Sequence, residues 1–500
     1  MKKISLKGLK FNEPLIFEKS SSGKVGYSFR ECLSNGSDPE EIFDKKFIRT
    51  EIKDFPEVSE VEVIRHFTRL SQLNYGLDSG FYPLGSCTMK YNPKVNEDIA
   101  LLKGFNKIHP YFPEEFVQGA LQVIYELQEK LKKITGFDAV TLQPSAGAHA
   151  EFTGLKIIKA YHQSNQDNKR EYILIPDSAH GTNPASSTLA GFKVKNIKSG
   201  PGGYLQADTI AQVMDETVAG IMITNPNTLG VFEKEIDKII KIVHERGGLV
   251  YGDGANMNAL MGKLKPADIG FDVMHLNLHK TFSTPHGGGG PGSGPVLVTE
   301  KLRRFLPLPL VTKSREGDYL VISKSDDSIG RMKSFFGNFS VWVKALSYIL
   351  EMGERGLTQA TEDAVLSANY IRESLKDYYH LPYETDSLHE VVFSDKSFKD
   401  KGIETMDLAK RLIDYGIHPA TVYFPLIVSG AIMIEPTETE SKEEIDYFIN
   451  VMKNIANEIN ETPDLLHMAP QISVRKRLDE VRAAKHPKLR WYKPVEEDEE

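Results

Sequence analysis

The sequence contains little cysteine, no long apolar run and no excess of basic residues. Only two of its 500 residues are cysteine, Cys32 and Cys87, which excludes a disulfide framework and a cysteine-rich metal site. Such low cysteine usage predicts a reducing, cytoplasmic location. No stretch reaches the roughly 18 apolar residues that a membrane helix needs. The N-terminus also lacks the apolar core of a secretory signal, so we expect neither a membrane anchor nor export.

The charge balance limits the kinds of molecule that the protein is expected to bind. Asp and Glu number 69 against 61 Lys and Arg, which gives a net charge of −8. This balance argues against non-specific binding to nucleic acid or to an anionic membrane surface. A hydrophobic content of 40% and a charged content of 26% are typical of soluble globular proteins, and the length allows more than one compact unit.

From residue 114 onward the apolar pattern alternates between the periods of helices and strands. A long amphipathic helix is predicted over 114–134. It is followed by predicted strands at 139–142, 172–176, 219–224, 249–253, 273–277 and 295–298, separated by helices at 148–164, 209–216 and 235–246. Continuous apolar strands that alternate with helices predict an α/β fold whose mostly parallel sheet is covered on both faces.

Three regions are predicted along the chain. Residues 1–75 form an N-terminal arm with a helix near 57–74, and residues 76–365 form the large α/β domain. Residues 366–500 form a smaller α+β domain that ends in an acidic tail. Its predicted strands are 389–393, 426–428 and 431–434, and its predicted helices are 405–415 and 441–459. A further helix is predicted at 341–364, and Ser441 with Glu444 matches a capping box.

Lys280 is the residue that most suggests chemistry. It follows an apolar strand directly, and a lysine in that position can hold an aldehyde cofactor such as pyridoxal phosphate as a Schiff base. Asp253 ends another strand 27 positions earlier and could keep a pyridine nitrogen protonated. Singly, Lys280 could be a solvated strand end and Asp253 an Asx-turn residue. Their joint placement at strand ends favours the cofactor site.

Other strand-end loops offer further candidates. Ser145-Ala146-Gly147 precedes a helix and could hold a phosphate on backbone N–H groups, although Ser145 could also be an ordinary N-cap. His180 could stack on a flat ring or be an ordinary loop histidine. In open α/β sheets, ligands bind outside the carboxyl ends of the strands, which is where these loops lie.

The glycine run Gly287–Gly294 formally contains G-x-G-x-x-G, but a strand follows it and Pro291 interrupts it. A dinucleotide fingerprint should open a helix, so a loop that faces the cofactor is the better hypothesis. His275, His279 and His286 match no metal-binding spacing, and no metal is expected. Cys87 fits a small buried residue in a Gly/Ser turn.

Taken together, the motifs resemble the glycine decarboxylase P-protein family. The matching segments are 81–93, 143–148, 177–185, 277–282 and 477–484, within a similarity that runs from about residue 60 to Trp491. The chain is similar to the cofactor-bearing half of that protein, which occurs as a separate second subunit. The resemblance implies a fold type I pyridoxal-phosphate enzyme.

The resemblance also implies roles for individual residues. Lys280 matches the lysine that holds the cofactor covalently, Asp253 the acid that faces the ring nitrogen, and His180 the residue stacked on the ring. Lys280 and His180 are the expected catalytic residues. The remaining expected cofactor-binding residues are Ser145, Ala146, Gly147, Thr182, Ala255 and His279.

For function, the resemblance implies a glycine dehydrogenase (aminomethyl-transferring), an oxidoreductase. Glycine would lose CO2, and its aminomethyl group would pass to the lipoyl arm of the H-protein. The expected partners are subunit 1, in an α2β2 assembly, and the H-protein. The alternatives are another fold type I enzyme, such as an amino-acid decarboxylase or a desulfurase, and a non-catalytic scaffold subunit.

Overall fold

The computed structural model describes residues 13–27 and 38–492. The predictions made for Cys32 and for the acidic tail from residue 494 lie outside these residues. The described chain forms two compact units, one of residues 76–467 and one of residues 13–27, 38–75 and 468–492. The domain boundary at residue 365 stays a prediction, and a helix, Phe339–Leu375, runs across that position.

A seven-stranded sheet forms the centre of the first unit. Its strands are β1 (Ala139–Thr141), β2 (Tyr172–Pro176), β3 (Lys193–Ile197), β4 (Val218–Thr224), β5 (Leu249–Gly254), β6 (Val273–Leu276) and β7 (Val296–Val298). Their order is β1-β7-β6-β5-β4-β2-β3. Strands β3, β2, β4, β5 and β6 run parallel, and β7 is antiparallel to both β6 and β1. The predicted mostly parallel sheet is confirmed.

Helices cover the sheet because their apolar stripes match its buried faces. In the helix Gln118–Thr135, the residues Leu121, Ile124, Leu127 and Leu131 are buried at three- and four-residue spacing. The other α-helices of this unit with seven or more residues are Lys94–Ala100, Gly147–Ser164, Thr182–Leu189, Ala207–Val213, Ile236–Glu245, Phe339–Leu375, Thr405–Asp414 and Lys442–Glu461. Among the described residues, no helix has both the length and the apolarity to cross a membrane.

A smaller antiparallel sheet lies near the C-terminal end of this unit. It contains β10 (Val391–Ser394), β12 (Ala431–Ile434) and β11 (Thr421–Val422), in the order β10-β12-β11. The predicted strand at 426–428 is wrong. Those residues form a turn in which Val428 N–H donates to Pro425 C=O, and Leu426 is 81% exposed, so its apolar character did not indicate burial.

Four strands were not predicted, and one of them, β11, has only two residues. Strand β3 is at the edge of the main sheet and carries the exposed Lys193 and the half-buried Lys195, so it lacks the apolar run of a central strand. The strands β8 (Leu310–Lys313) and β9 (Tyr319–Ile322) form a separate two-stranded sheet. Each has only four residues, of which one is buried, and neither alternates apolar with polar residues, so neither gives a clear periodicity.

The second unit is small and has one long helix, Glu60–Leu73. The Ser59 hydroxyl caps this helix by accepting from Glu62 N–H, and the Glu62 carboxylate accepts from Ser59 N–H. Glu13 forms ion pairs with Lys19, His66 and Arg69. Short helices occupy Pro39–Ile42 and Glu480–Lys485. The ring of Phe17 stacks on Trp491 at 5.1 Å, which joins the two ends of the sequence within this unit.

Candidate active site

A pocket opens where the central parallel strands end. Residues that directly follow β4, β5 and β6 converge there because the carboxyl ends of parallel strands lie at one edge of a sheet. The pocket is lined by Ser86, Gly147, Ala148, Glu151, His180, Thr182, Thr224, Thr228, Asp253, Ala255, Asn256, His275, Asn277, His279 and Lys280. Seven of the nine predicted site residues are among them; Ser145 and Ala146 are not.

Asp253 is a buried carboxylate of the pocket, and hydrogen bonds hold both of its oxygens. It is 4% exposed, its Oδ1 accepts from Ala255 N–H at 3.0 Å and its Oδ2 from Asn183 Nδ2 at 3.2 Å. Burial alone would raise its pKa, but His275, Lys280 and the hydrogen bonds from Ala255 and Asn183 together outweigh burial, and the pKa of Asp253 stays below its ordinary value. Asp253 is therefore ionised at neutral pH and can pair with a protonated ring nitrogen.

Lys280 is half-buried at the turn after β6, where its N–H donates to Asn277 C=O at 3.0 Å. The positive charge of Lys280 lowers the pKa of Asp253. It also lowers the pKa of His180, to which burial contributes more. A flexible primary amine that faces an ionised acid in a concave site can form a Schiff base with an aldehyde. The structure thus places Lys280 and Asp253 in the same pocket.

Ser145, Ala146 and Gly147 lie at the start of the helix Gly147–Ser164. No side chain caps this end, so its first N–H groups remain open to an anion. Gly147 allows a close approach, since a Cβ there would lie 3.0 Å from Asn277 Oδ1. The Ser145 hydroxyl accepts from Lys333 Nζ at 2.5 Å, and sequence reasoning did not identify Lys333.

His180 and Thr182 line the pocket from the segment that connects β2 to the helix Thr182–Leu189. His180 is exposed, and its Nδ1 is 2.9 Å from Thr182 Oγ1. The Thr182 hydroxyl donates to Glu151 Oε1 at 2.7 Å, and Ser186 donates to the other oxygen. Burial, with a smaller contribution from Asp253, raises the pKa of Glu151 to about 7. Thr182 therefore links the ring of His180 to a buried acid.

His279 is next to Lys280 and is neutral. Burial, Lys280 and His286 lower its pKa to about 3, and its Nδ1 accepts from Ser293 N–H at 3.2 Å. Gly287–Gly290 are exposed, and the N–H groups of Gly288 and Gly289 donate to His286 Nδ1. None of these four glycines lines the pocket. Gly292 packs against His279, and the hypothesis that the glycine run approaches a phosphate, in this chain or in a neighbouring subunit, stays a prediction.

Several pocket residues were missed from the sequence. Glu151 follows Gly147 by one helical turn, and Thr224 and His275 end their strands, so strand-end position and helical spacing could have identified them. Asn256 and Asn277 are polar residues just beyond β5 and β6. Ser86 gave no such signal, because the chain returns to the pocket through an irregular segment.

The polar groups of the pocket suit pyridoxal phosphate. Three buried atoms of lining residues, Thr224 Oγ1, Asn256 Oδ1 and Asn277 Oδ1, have no hydrogen-bond partner among the described residues and are available to a ligand. The site also offers an amine, an ionised acid and an uncapped helix start, which match the aldehyde, the ring nitrogen and the phosphate of this cofactor.

Comparison with known proteins identifies the family. Residues 152–307 match the family described as aminotransferase class-V, and residues 360–474 match glycine dehydrogenase, C-terminal domain. A protein of Caldanaerobacter subterraneus is 55% identical over 97% of this chain and 100% of its own length. A protein of Bacillus licheniformis is 53% identical over 96% of this chain and 99% of its own length. Both are named "Probable glycine dehydrogenase (decarboxylating) subunit 2". This chain belongs to that family.

The glycine dehydrogenase subunit 2 family consists of enzymes, so the predicted family and enzyme class are confirmed. Its place as a second subunit implies a partner subunit. Glycine decarboxylase (P-protein) of the glycine cleavage system, solved in inhibitor-bound form, superposes with a TM-score of 0.71 at 19% identity, over 84% of this chain and 95% of that one. Glutamate decarboxylase of Lactobacillus brevis superposes with a TM-score of 0.64 at 13% identity, over 85% of this chain and 98% of that one. The fold is fold type I of the pyridoxal-phosphate enzymes, as predicted.

Proposed function

We propose that this chain, with its partner subunit, decarboxylates glycine and passes the aminomethyl group to the lipoyl arm of the H-protein. Pyridoxal phosphate would be bound covalently to Lys280. The observation that carries the proposal is that Lys280 and the ionised Asp253 line one pocket at the carboxyl ends of β5 and β6. The assembly with subunit 1 is proposed as α2β2. A cytoplasmic location stays a prediction from cysteine usage.

The proposed roles follow from position. Lys280 holds the aldehyde carbon and, once released by the substrate amine, its Nζ can hold or move a proton at the substrate. Asp253 pairs with the protonated ring nitrogen, while Asn183 and Ala255 fix the direction of its oxygens. His180, which lines the same pocket, would help to hold the ring. When bound, pyridoxal phosphate supplies an electron-withdrawing ring that weakens the bond from the glycine Cα to its carboxylate.

The phosphate is proposed to lie at the start of the helix Gly147–Ser164. Backbone N–H groups there have no capping side chain, and the Thr224 hydroxyl, which has no partner among the described residues, lines the same pocket and can donate to a phosphate oxygen. The neutral His279 can donate or accept a hydrogen bond without adding charge. Neither Ser145 nor Ala146 lines the pocket, and Ser145 N–H already donates to His149 Nδ1 at 3.2 Å, so only Ala146 would contribute through its backbone N–H.

The structure gives no support to a desulfurase. That reaction needs a reactive thiolate, which a lowered pKa favours. Burial, together with Glu435 and Glu390, instead raises the pKa of Cys87. The thiol is therefore protonated at neutral pH. A non-catalytic scaffold would have no use for an ionised Asp253 opposite Lys280, and bound cofactor would contradict it directly.

The test is the variant Lys280→Ala in the full chain. We expect loss of the visible absorbance of the bound cofactor and loss of glycine–CO2 exchange, assayed with subunit 1 and H-protein. Lys195→Ala is the control, because Lys195 is on the edge strand β3, paired with Asp215 and outside the pocket. Its absorbance and exchange should match the parent. Undiminished exchange in a folded Lys280→Ala protein would refute the proposed role of Lys280.

A further inference from the structure

Two buried glutamates, Glu390 and Glu435, have no part in the function proposed above. Glu390 precedes β10 and Glu435 follows β12, and the pairing of Val391 with Ile434 brings the two glutamates side by side. Both side chains are 0% exposed. Glutamate is almost never fully buried unless it is paired with a cation or protonated, so this pair requires an explanation.

The pair is directly behind the pocket wall. Leu84 bridges to Ile434, and this contact anchors the segment Ser86–Thr88, here called the wall loop, against the small sheet. Glu390 accepts from Ser86 N–H at 2.9 Å, and Glu435 accepts from Thr88 N–H at 2.9 Å and from its hydroxyl at 2.6 Å. Ser86 lines the pocket together with Lys280. The two carboxyl groups therefore hold the wall loop in place.

No cation forms a salt bridge with either carboxyl group among the described residues. Their other hydrogen-bond donor is a neutral amide, Asn256 Nδ2, at 3.4 Å from Glu390. His389 Nε2 is 3.9 Å from Glu390 and 4.0 Å from Glu435, too far for a hydrogen bond. Neither ring nitrogen of this fully buried histidine has a partner. Two like charges cannot remain this close in a buried site without a proton or a cation.

The proton belongs on the carboxyl groups and not on the histidine. Burial, with Lys280, lowers the pKa of His389 to about 3, so its ring is neutral. Burial raises the pKa of Glu435 to about 7, and burial and Glu435 raise that of Glu390 well above its ordinary value. The other titratable groups that act on the pair are Cys87, Lys280 and Glu438, the last of which is paired with Lys90 at 2.6 Å.

We propose that Glu390 and Glu435 share one proton and are positioning residues that keep the pocket open to the carboxylate of glycine. The inference rests on the function proposed above. The pocket already contains the ionised Asp253, and a second charge on the pair would add to the repulsion of an incoming carboxylate. With one proton retained, the wall loop stays anchored while the pair carries at most one negative charge.

The kinetics of the assembled enzyme with glycine should depend on the charge of the pair Glu390 and Glu435. In the parent, we expect the KM for glycine to rise by about tenfold as the pair loses its last proton at alkaline pH, while kcat changes less. In Glu435→Gln, only one ionisable group remains, so KM should stay flat over the same range. The amide retains an oxygen for Thr88 N–H and can donate to the Thr88 hydroxyl, so the wall loop should remain anchored.

The shared proton can be detected without any activity. An infrared pH titration of the full chain should show the C=O stretch of a protonated carboxylic acid that persists at neutral pH and is lost in Glu435→Gln. Glu390→Gln is the second variant, in case the first fails to fold. Glu233→Gln is the matched control, because Glu233 is also fully buried but does not line the pocket. It should lose a carboxylic-acid band of its own and leave the glycine KM profile unchanged.

Three results would overturn the proposal. The first is a protonated-acid band at neutral pH that neither Glu435→Gln nor Glu390→Gln diminishes. The second is a KM profile that rises with pH equally in the parent and in these variants. The third is one divalent cation per purified chain, measured by elemental analysis and lost in Glu435→Gln, since His389, Glu390 and Glu435 have ligand atoms within 4.8 Å of one another. If glycine activity itself is absent, the infrared result still decides whether the pair holds a proton.

Discussion

The Nζ of Lys333 donates to the Ser145 hydroxyl at 2.5 Å, although the two residues are far apart in the sequence. The same ammonium group donates to Asn338 Oδ1 at 2.6 Å, and burial lowers its pKa. No carboxylate forms a salt bridge with Lys333 within the described ranges. The predicted phosphate loop, Ser145–Gly147, thus has a cation beside it without an acidic partner, which is what an anion-binding loop requires.

Replacing Lys333 should weaken the binding of pyridoxal phosphate. A hydrogen bond to a charged group contributes about 1.5–3 kcal/mol, so Lys333→Met should raise the Kd of the cofactor by roughly 10- to 100-fold. Spectroscopic titration of the full chain measures this Kd. Pyridoxal, which lacks the phosphate, is the control ligand and should bind both proteins equally. An equal loss for both ligands would show that Lys333 does not act on the phosphate.

Asp253→Asn should lower activity with little loss of structure. The amide retains a hydrogen-bonding oxygen for Ala255 N–H but cannot hold a proton on the ring nitrogen. We expect the rate of glycine–CO2 exchange to fall by about 10²-fold or more, in the range of a lost acid–base or electrostatic group. Circular dichroism should be unchanged. Full activity in the variant would remove Asp253 from the proposed mechanism.

Gly220→Ala should destabilise the central sheet. A Cβ at Gly220 would lie 2.2 Å from Leu249 C=O on the neighbouring strand β5, and that backbone cannot move without breaking the ladder. Such overpacking costs about 1–3 kcal/mol, measured as a lower denaturant midpoint. Gly119→Ala is the matched control, because a Cβ there meets nothing within 4 Å and the position is helical. It should be neutral or stabilise by up to about 1 kcal/mol.

Glu233 should make stability depend on pH. Burial raises its pKa to about 7, above the value of about 4.3 in an unfolded chain. Between these values the folded state binds more protons, so the free energy of unfolding should fall as pH rises from about 4.5 to 7, by roughly 3 kcal/mol in all. Glu233→Gln loses one contact with Leu205 or Asn227 at every pH, but its stability should change less across this range. An equally steep decline in the variant would exclude Glu233 as the cause.

The elements that could be predicted from sequence are those whose signal is local. Apolar runs gave strands β4, β5 and β6, and three- and four-residue spacing gave the helix Gln118–Thr135. Strand β3 was missed because an edge strand is exposed and needs no apolar run. The segment 426–428 was mistaken for a strand because the exposure of its apolar side chains depends on the turn that contains them.

The sequence by itself determined the α/β class, the family, and Lys280 and Asp253 as candidates. Both residues lie at or shortly after the end of an apolar run that can be recognised as a strand. Only the tertiary structure decided which distant segments meet at the pocket. Lys333 reaches Ser145, and the wall loop reaches Glu390 and Glu435, through contacts across about 190 to 350 positions. No local periodicity encodes such contacts, because they depend on how strands and helices pack.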